Sequence, residues 1–533
     1  MSRIFFFIIF LLSTLISSAP SRFQSYYLRR FSSCLALNKV TNFTALPQNH
    51  NTSAEYYALL KYSIYNLRFA DQALPKPLFI VLPGTADQIS KTVGCAKAAA
   101  LRVRARCGGH DYEGASSVSL LSSPFIIIDL MNLDKVEVDL RSETAWVEGG
   151  ATLGQTYKAI ADASSVHAFT GGSCPTVGVG GHISGGGFGL LSRKYGLAAD
   201  NVVDAILVDA NGRLLNRSAM GEDVFWALRG GGGGGGWGII CAWKIKLQPV
   251  PQTVTSFVVS RQGTQRNLTN LVDTWQSVAP KLPDEFYLSV FIGSGCPAGV
   301  CVSFDGFYLG SKSEAVSVMT RLFPGLGVTP SDCMESSWIE SVLFFSGLGK
   351  NSSLADLSNR YSTSKHFFKA KSDYVKSPIP LSGIRSAMSM IEAEPKGYVI
   401  LDPYGGAMGR IPRDTIAFPH RSGNLFSIQY QVEWKAEDDQ RRDSYIKWIR
   451  EFYDVMEGFV SSSPRAAYVN YLDFDLGVTT DEKGAVEKAR VWGERYFLGN
   501  FDRLVRAKTE IDPENYFRSE QGIPPLLSRP ALH

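Results

Sequence analysis

The chain has 533 residues, of which 45% are hydrophobic and 20% charged, with a formal net charge of +4. That length accommodates two to four domains and a large core. A charge so small and so evenly spread gives no argument for nucleic acid or an anionic membrane as a partner, and neither is expected.

Arg3, the apolar run Ile4–Ile16 and the small residues Ser17, Ser18 and Ala19 read as a secretory signal, so residues 1–19 are expected to be a cleaved leader. The run is short for a bilayer, and no later segment is long and apolar enough to span one, so no membrane anchor is expected. Export suits the five glycosylation sequons at Asn42, Asn51, Asn216, Asn267 and Asn351. Eight cysteines in an exported chain are expected to be mostly paired or otherwise occupied, with Cys174 excluded from pairing by its setting. Cys34 and Cys95 are candidates to staple the amino-terminal segment, and Cys296 and Cys301 to close a small loop. Cys107, Cys241 and Cys333 have no assigned partner.

The periodicity then predicts a helix over Ser53–Phe69, a strand over Lys76–Val81 and a helix over Asp87–Leu101. A strand from Val103 runs into the turn Gly108-Gly-His-Asp-Tyr-Glu-Gly114, which presents His110 beside Asp111, Tyr112 and Glu113. Phe125–Leu130 and Thr144–Glu148 are strand-like, and Leu153–Ala163 is helical. Asn201–Val208 and Arg213–Leu215 form a hairpin about Asn211-Gly212. Seven glycines, Gly230–Gly236, precede a strand over Trp243–Leu247, and Pro249-Val-Pro251 marks a boundary. Residues 20–250 are thus expected to form one α+β nucleotide-binding unit.

Between 251 and 461, strands at Phe286–Ile292, Val302–Leu309, Tyr398–Leu401 and Leu425–Trp434 alternate with helices at Leu268–Val278, Lys312–Leu322 and Asp438–Gly458. The pattern predicts an antiparallel sheet with helices on one face. Alternation along Phe426–Trp434 puts Ser427, Gln429, Gln431 and Glu433 on one face, either a solvated face or the floor of a polar pocket, and Phe426, Ile428, Tyr430 and Val432 on the other. Residues 462–533, with Tyr468, Asn470 and Tyr471 crowded together, are expected to pack back on the first unit.

The stretch Gly171–Gly189 carries the most chemistry. Its glycines leave successive backbone amides bare for an anionic ligand, a phosphate above all. Val177, Val179, Ile183 and Phe188 interleave with the glycines as no flexible linker requires. Cys174 sits in the same loop, beside Pro175. The seven histidines are scattered, so no metal site is expected. Cys174 lacks a histidine and acid partner in chain order, which argues against a cysteine hydrolase.

These motifs, together with Phe418-Pro-His-Arg421, Asn470-Tyr471, Phe517 and Gln521-Gly-Ile-Pro524, resemble those of the plant berberine bridge enzyme-like proteins, FAD-linked oxidases of the vanillyl-alcohol oxidase superfamily. The resemblance implies one FAD bonded to both His110 and Cys174. It also implies a backbone cradle from Gly108, Gly109, Val177, Gly178, Gly180, Gly181, His182, Gly185 and Gly186, with Asn470 beside it. Tyr471 takes the place of the catalytic base, Tyr112 and Tyr468 are pocket members, and Gln429 is a positioning hydrogen-bonder. Many relatives have a lysine at the position of Ser427 to stabilise the phenolate, and the alkaloid-cyclising members have glutamate at that of Gln429. Val177, small and three places after Cys174, implies reoxidation by O₂.

The resemblance therefore predicts a secreted, monomeric oxidase, extracellular, in the cell wall or in the vacuole. It would take a hydride from an alcohol carbon of a carbohydrate or an aromatic or allylic alcohol and release H₂O₂. Two other expectations are oxidative cyclisation or flavin-scaffolded cycloaddition, and a non-catalytic flavin-binding defence protein.

Overall fold

The computed structural model describes residues 22–47, 53–232, 236–296, 299–362, 364–480 and 484–526. The expected leader and the Asn51 sequon lie outside them. Asn42, Asn216, Asn267 and Asn351 are all exposed.

The run Phe125–Asp129 is buried along its whole length and pairs in parallel with Phe79–Val81 on one side and Arg102–Arg106 on the other. A continuous apolar strand is what a position covered on both faces demands. Phe43–Ala45 adds an antiparallel edge to this four-stranded sheet. The crossover helix Ala86–Ala98 starts at Thr85, whose side chain accepts from Gln88 N, and it buries Ile89, Val93 and Ala96. Cys34, on helix Arg22–Leu37, forms a disulfide with Cys95 on this helix, as expected. Cys301 is also disulfide-bonded, while the side chain of Cys296 lies outside the described residues. Cys107, Cys174, Cys241 and Cys333 are free.

A second, antiparallel sheet runs in the order 136–139, 144–148, 239–246, 202–208 and 214–215. The third sheet is antiparallel, with strands in the order 333–336, 254–261, 299–308, 286–296, 397–403, 426–434 and 367–375. Helices Gln265–Val278, Leu381–Ala393 and Arg442–Val455 pack Trp275, Met388 and Ile449 against Phe426, Ile428, Tyr430 and Val432 on one face of it. The opposite face, bearing Gln429 and Gln431, lines a cavity. The whole is α+β, as predicted.

The carboxyl-terminal segment returns to the amino-terminal strands. Glu520 accepts from the buried Arg104 at 2.9 Å, and Tyr516 and Phe517 enter the core beneath the first sheet.

Some elements differ from their predicted extent. The helix expected over Ser53–Phe69 ends at Tyr62, and a 3-10 turn covers Leu67–Ala70. Strands Val254–Arg261 and Phe367–Val375 were not anticipated. In the second, Lys369, Lys371 and Asp373 occupy buried positions, so its apolar pattern does not alternate.

Candidate active site

Strand Arg102–Arg106 delivers the chain to the His110 turn. Arg106 is fully buried, pairs with Asp129 at 2.7 Å, and donates to the carbonyls of Leu59 and Leu60, which holds the strand end rigidly. Gly109 then turns with φ of +70°, and a Cβ there would stand 1.5 Å from the Ser63 carbonyl oxygen, so only glycine fits. His110 is placed against Tyr65, ring on ring at 4.2 Å. Burial pushes its imidazole down to about 4, so it is neutral at physiological pH.

The side chains of the Cys174 loop and of this turn meet through Thr176. Thr176 Oγ1 lies 2.9 Å from His110 Nε2 and 3.6 Å from Cys174 Sγ. The loop is pinned to helix Leu153–Ala163 and the chain before it through Leu153 N to Val177 O and Val179 N to Ala151 O, both 2.9 Å. His182, on the short helix Val179–Ser184, accepts from Gly172 N at 3.1 Å, and burial lowers it to about 4 as well. Asn470 donates to the His182 carbonyl at 3.0 Å and to the Tyr468 hydroxyl at 2.9 Å; that hydroxyl also accepts from Gly187 N at 3.0 Å.

These parts line a cavity of about 640 Å³, within the usual size of cofactor sites. His110, Cys174, Gly108, Gly109, Val177, Gly178, Gly180, Gly181, His182 and Asn470 all border it. Gly185 and Gly186 are not among its lining residues. Gly185 packs on Asn470, whose amide oxygen a Cβ would meet at 2.0 Å, and Gly186 packs on Phe418. Of the second glycine run, Gly231, Gly232 and Gly236 border the cavity, while 233–235 lie outside the described residues. The donor set fits a flavin dinucleotide. Bare glycine backbone forms the wall, with Gly108 and Gly178 so close that a Cβ on the first would stand 2.4 Å from the nitrogen of the second. A neutral imidazole and a free thiol, both within reach of Thr176, line it too.

The other side of the cavity is the sheet face. Tyr112 and Tyr471 stack with ring centroids 5.3 Å apart. Gln429 donates to the Tyr112 hydroxyl and to Gln431 Oε1, both at 2.9 Å; of the alternating polar row these two line the cavity, and Ser427 and Glu433 are not among its lining residues. The Tyr471 hydroxyl has no protein partner among the described residues. Burial raises Tyr471 well above an ordinary phenol, and Tyr112, Asp402, Tyr468 and Tyr287 push the same way; Tyr468 is pushed up to about 12. Ser427 is buried and its hydroxyl unpaired.

Sequence reasoning missed Asp305, Ser289 and Asp402. They lie side by side on three neighbouring strands: Asp305 pairs with Ser289, and Leu401 with Val290, which sets Asp402 level with Ser289. Tyr287 donates to Asp402. Burial raises Asp402 to about 6, and Asp305 above its ordinary value. No lysine or arginine pairs with either carboxylate among the described residues. Their only sequence signal is a polar residue in an otherwise apolar strand. The Phe418–Arg421 motif is structural: His420 stacks on Tyr374 at 4.0 Å, and Arg421 clamps Asp200 with two bonds of 2.7 and 2.8 Å. No cluster of metal-ligating side chains occurs among the described residues.

Comparison with known proteins places this geometry. An FAD binding domain family matches residues 77–218, and a berberine and berberine-like family matches 467–524. Berberine bridge enzyme-like D-2 of Nicotiana tabacum is 57% identical over 527 residues, 95% of this chain and 93% of that protein. Reticuline oxidase of Eschscholzia californica is 46% identical over 502 residues, 93% and 92% of the two chains. The structure of berberine bridge enzyme from Eschscholzia californica superposes with a TM-score of 0.90 at 46% identity, over 94% of this chain and all of that one. The chain therefore belongs to the berberine bridge enzyme-like family of FAD-dependent oxidoreductases.

Proposed function

We propose that the protein is a secreted oxidase. It would oxidise an alcohol carbon of a carbohydrate or of an aromatic or allylic alcohol, with FAD held covalently by His110 and Cys174. The bound cofactor supplies a two-electron acceptor that passes its electrons to O₂, giving H₂O₂. One observation carries the reading: Tyr471 presents an unengaged hydroxyl to the cavity, while the hydroxyl of its stacked neighbour Tyr112 is held by Gln429. Tyr471, once ionised against the burial that raises it, is the proton acceptor for the substrate hydroxyl, and Gln429, through Tyr112, fixes the angle of approach. Tyr468, held by Gly187 and Asn470, keeps the wall behind it rigid. Anaerobic mixing with a panel of sugars, monolignols and amine alkaloids tests the reading: a substrate bleaches the flavin's visible absorption and readmitted air restores it with release of H₂O₂. A flavin that no sugar or monolignol bleaches overturns it.

A second reading, oxidation at a carbon next to nitrogen followed by ring closure, is favoured by Asp305 and Asp402, neither of which has a lysine or arginine partner among the described residues. With no lysine at Ser427 and only negative or neutral neighbours, Tyr471 loses its proton more readily once a substrate brings positive charge. Bleaching by the amines alone would support it.

A further inference from the structure

The stacked tyrosines belong to two turns far apart in the chain, and one ammonium touches both turns. Lys369 and Lys371 lie on strand Phe367–Val375, an edge of the seven-stranded sheet, and alternate with Phe368 and Ser372. Phe368 lines the cavity, so the lysines project from the opposite face. Lys369 Nζ donates to Glu113, the residue after Tyr112, and at 2.7 Å to Oδ1 of Asp473, two residues after Tyr471. Lys371 Nζ takes the other Asp473 oxygen at 2.5 Å and Asp475 at 3.0 Å, and does not reach Glu113. Arg450 closes the outer side with bonds of 3.0 and 2.7 Å to Asp475.

The side chains of Lys369, Glu113 and Asp473 are 3–5% exposed. Burial works against the charge on Lys369, but Glu113, Asp473 and Asp475 outweigh it and hold the ammonium above its usual value. A buried ion pair gives little net stability over apolar packing of the same volume, and its best-attested use is to impose one register. Here the register concerns two aromatic rings. On the cavity side the same strand repeats the hold: Ser372 accepts from Tyr468 N at 2.9 Å.

We propose that Lys369 is a positioning residue that sets the Tyr112–Tyr471 stack by tying Glu113 and Asp473 to a single charge. Only its kinetic arm rests on the oxidase reading.

The test compares flavin-loaded Lys369→Met with Lys371→Met, which removes an equally buried ammonium without the Glu113 link. In Lys369→Met the near-ultraviolet circular dichroism of the tyrosines is expected to change and in Lys371→Met to stay as in the parent. Anaerobic flavin reduction by whichever panel compound reduces the parent fastest is expected to slow about tenfold in Lys369→Met, with half-saturation within roughly threefold of the parent. Equal loss in both variants, or an unchanged spectrum and rate in Lys369→Met, overturns the proposal. If Lys369→Met does not accumulate, Glu113→Gln, which keeps shape and an acceptor, decides on the same readouts. If no compound reduces the flavin, the oxidase reading fails while the dichroism still decides the clamp.

Discussion

The rings of Tyr112 and Tyr471 lie 5.3 Å apart with their planes within 4° of parallel, and Gln429 engages only the first. The pair is asymmetric: one hydroxyl is fixed and the other is open to a ligand. Tyr471→Phe removes the open one without changing the stack, so the rate of anaerobic flavin reduction is expected to fall about 10²–10⁴-fold, with flavin content unchanged. Tyr112→Phe retains the ring and is expected to lose less, chiefly in substrate affinity. Stopped-flow absorbance on the two variants measures both effects.

The meeting of His110 and Cys174 at Thr176 predicts the fate of the cofactor. Each single variant, His110→Ala or Cys174→Ala, is expected to retain yellow colour with the polypeptide after denaturation and precipitation. The double variant is expected to release it.

Asp402, raised to about 6 by burial, gives a pH signature. Below that value its carboxyl takes a proton and its negative charge is lost; above it the charge is present. For a cationic amine, half-saturation is expected to rise as pH falls through about 6, and Asp402→Asn should flatten that dependence. For a neutral alcohol the wild type should show little change over the same range. Steady-state profiles with one substrate of each kind separate the cases.

Val177 lines the cavity three residues from Cys174. Val177→Leu adds one methylene there, and reoxidation of the reduced flavin in air is expected to slow by at least about tenfold. That factor corresponds to about 1.4 kcal/mol of barrier. Reduction by substrate is expected to change little, and sequential-mixing kinetics distinguish the two half-reactions.

Arg104 and Glu520 are both almost fully buried. Glu520→Ala leaves the guanidinium without its carboxylate partner, a loss expected to cost about 3–5 kcal/mol of stability. Thermal unfolding of the holoprotein measures it.

The cofactor side of the site is legible in the sequence because its signals are local. The His110 turn and the Cys174 loop are unbroken motifs whose glycines answer to close backbone approaches, as Gly109 does against Ser63. Alternation along Phe426–Trp434 similarly put Gln429 on the right face. Asp305 and Asp402 were illegible because they become neighbours only through the register of three strands. Lys369 and Lys371 concealed their own strand, since charged residues at buried positions imitate a solvated segment. Gly185 and Gly186 mark the converse limit: a glycine run does not say which of its members face the ligand and which face Asn470 and Phe418.

Pairing the beginning of the chain with its end also constrains how the protein is made. Arg104 waits for Glu520 across 416 residues, and Glu113 reaches Lys369 across 256. Strand 102–106 therefore leaves the ribosome with its buried charge unmatched, and contacts of such separation form late. Gln521, Gly522 and Ile523 line the cavity as well, so a chain cut short before Glu520 keeps the His110 turn and the Cys174 loop but lacks both this part of the wall and the partner of Arg104.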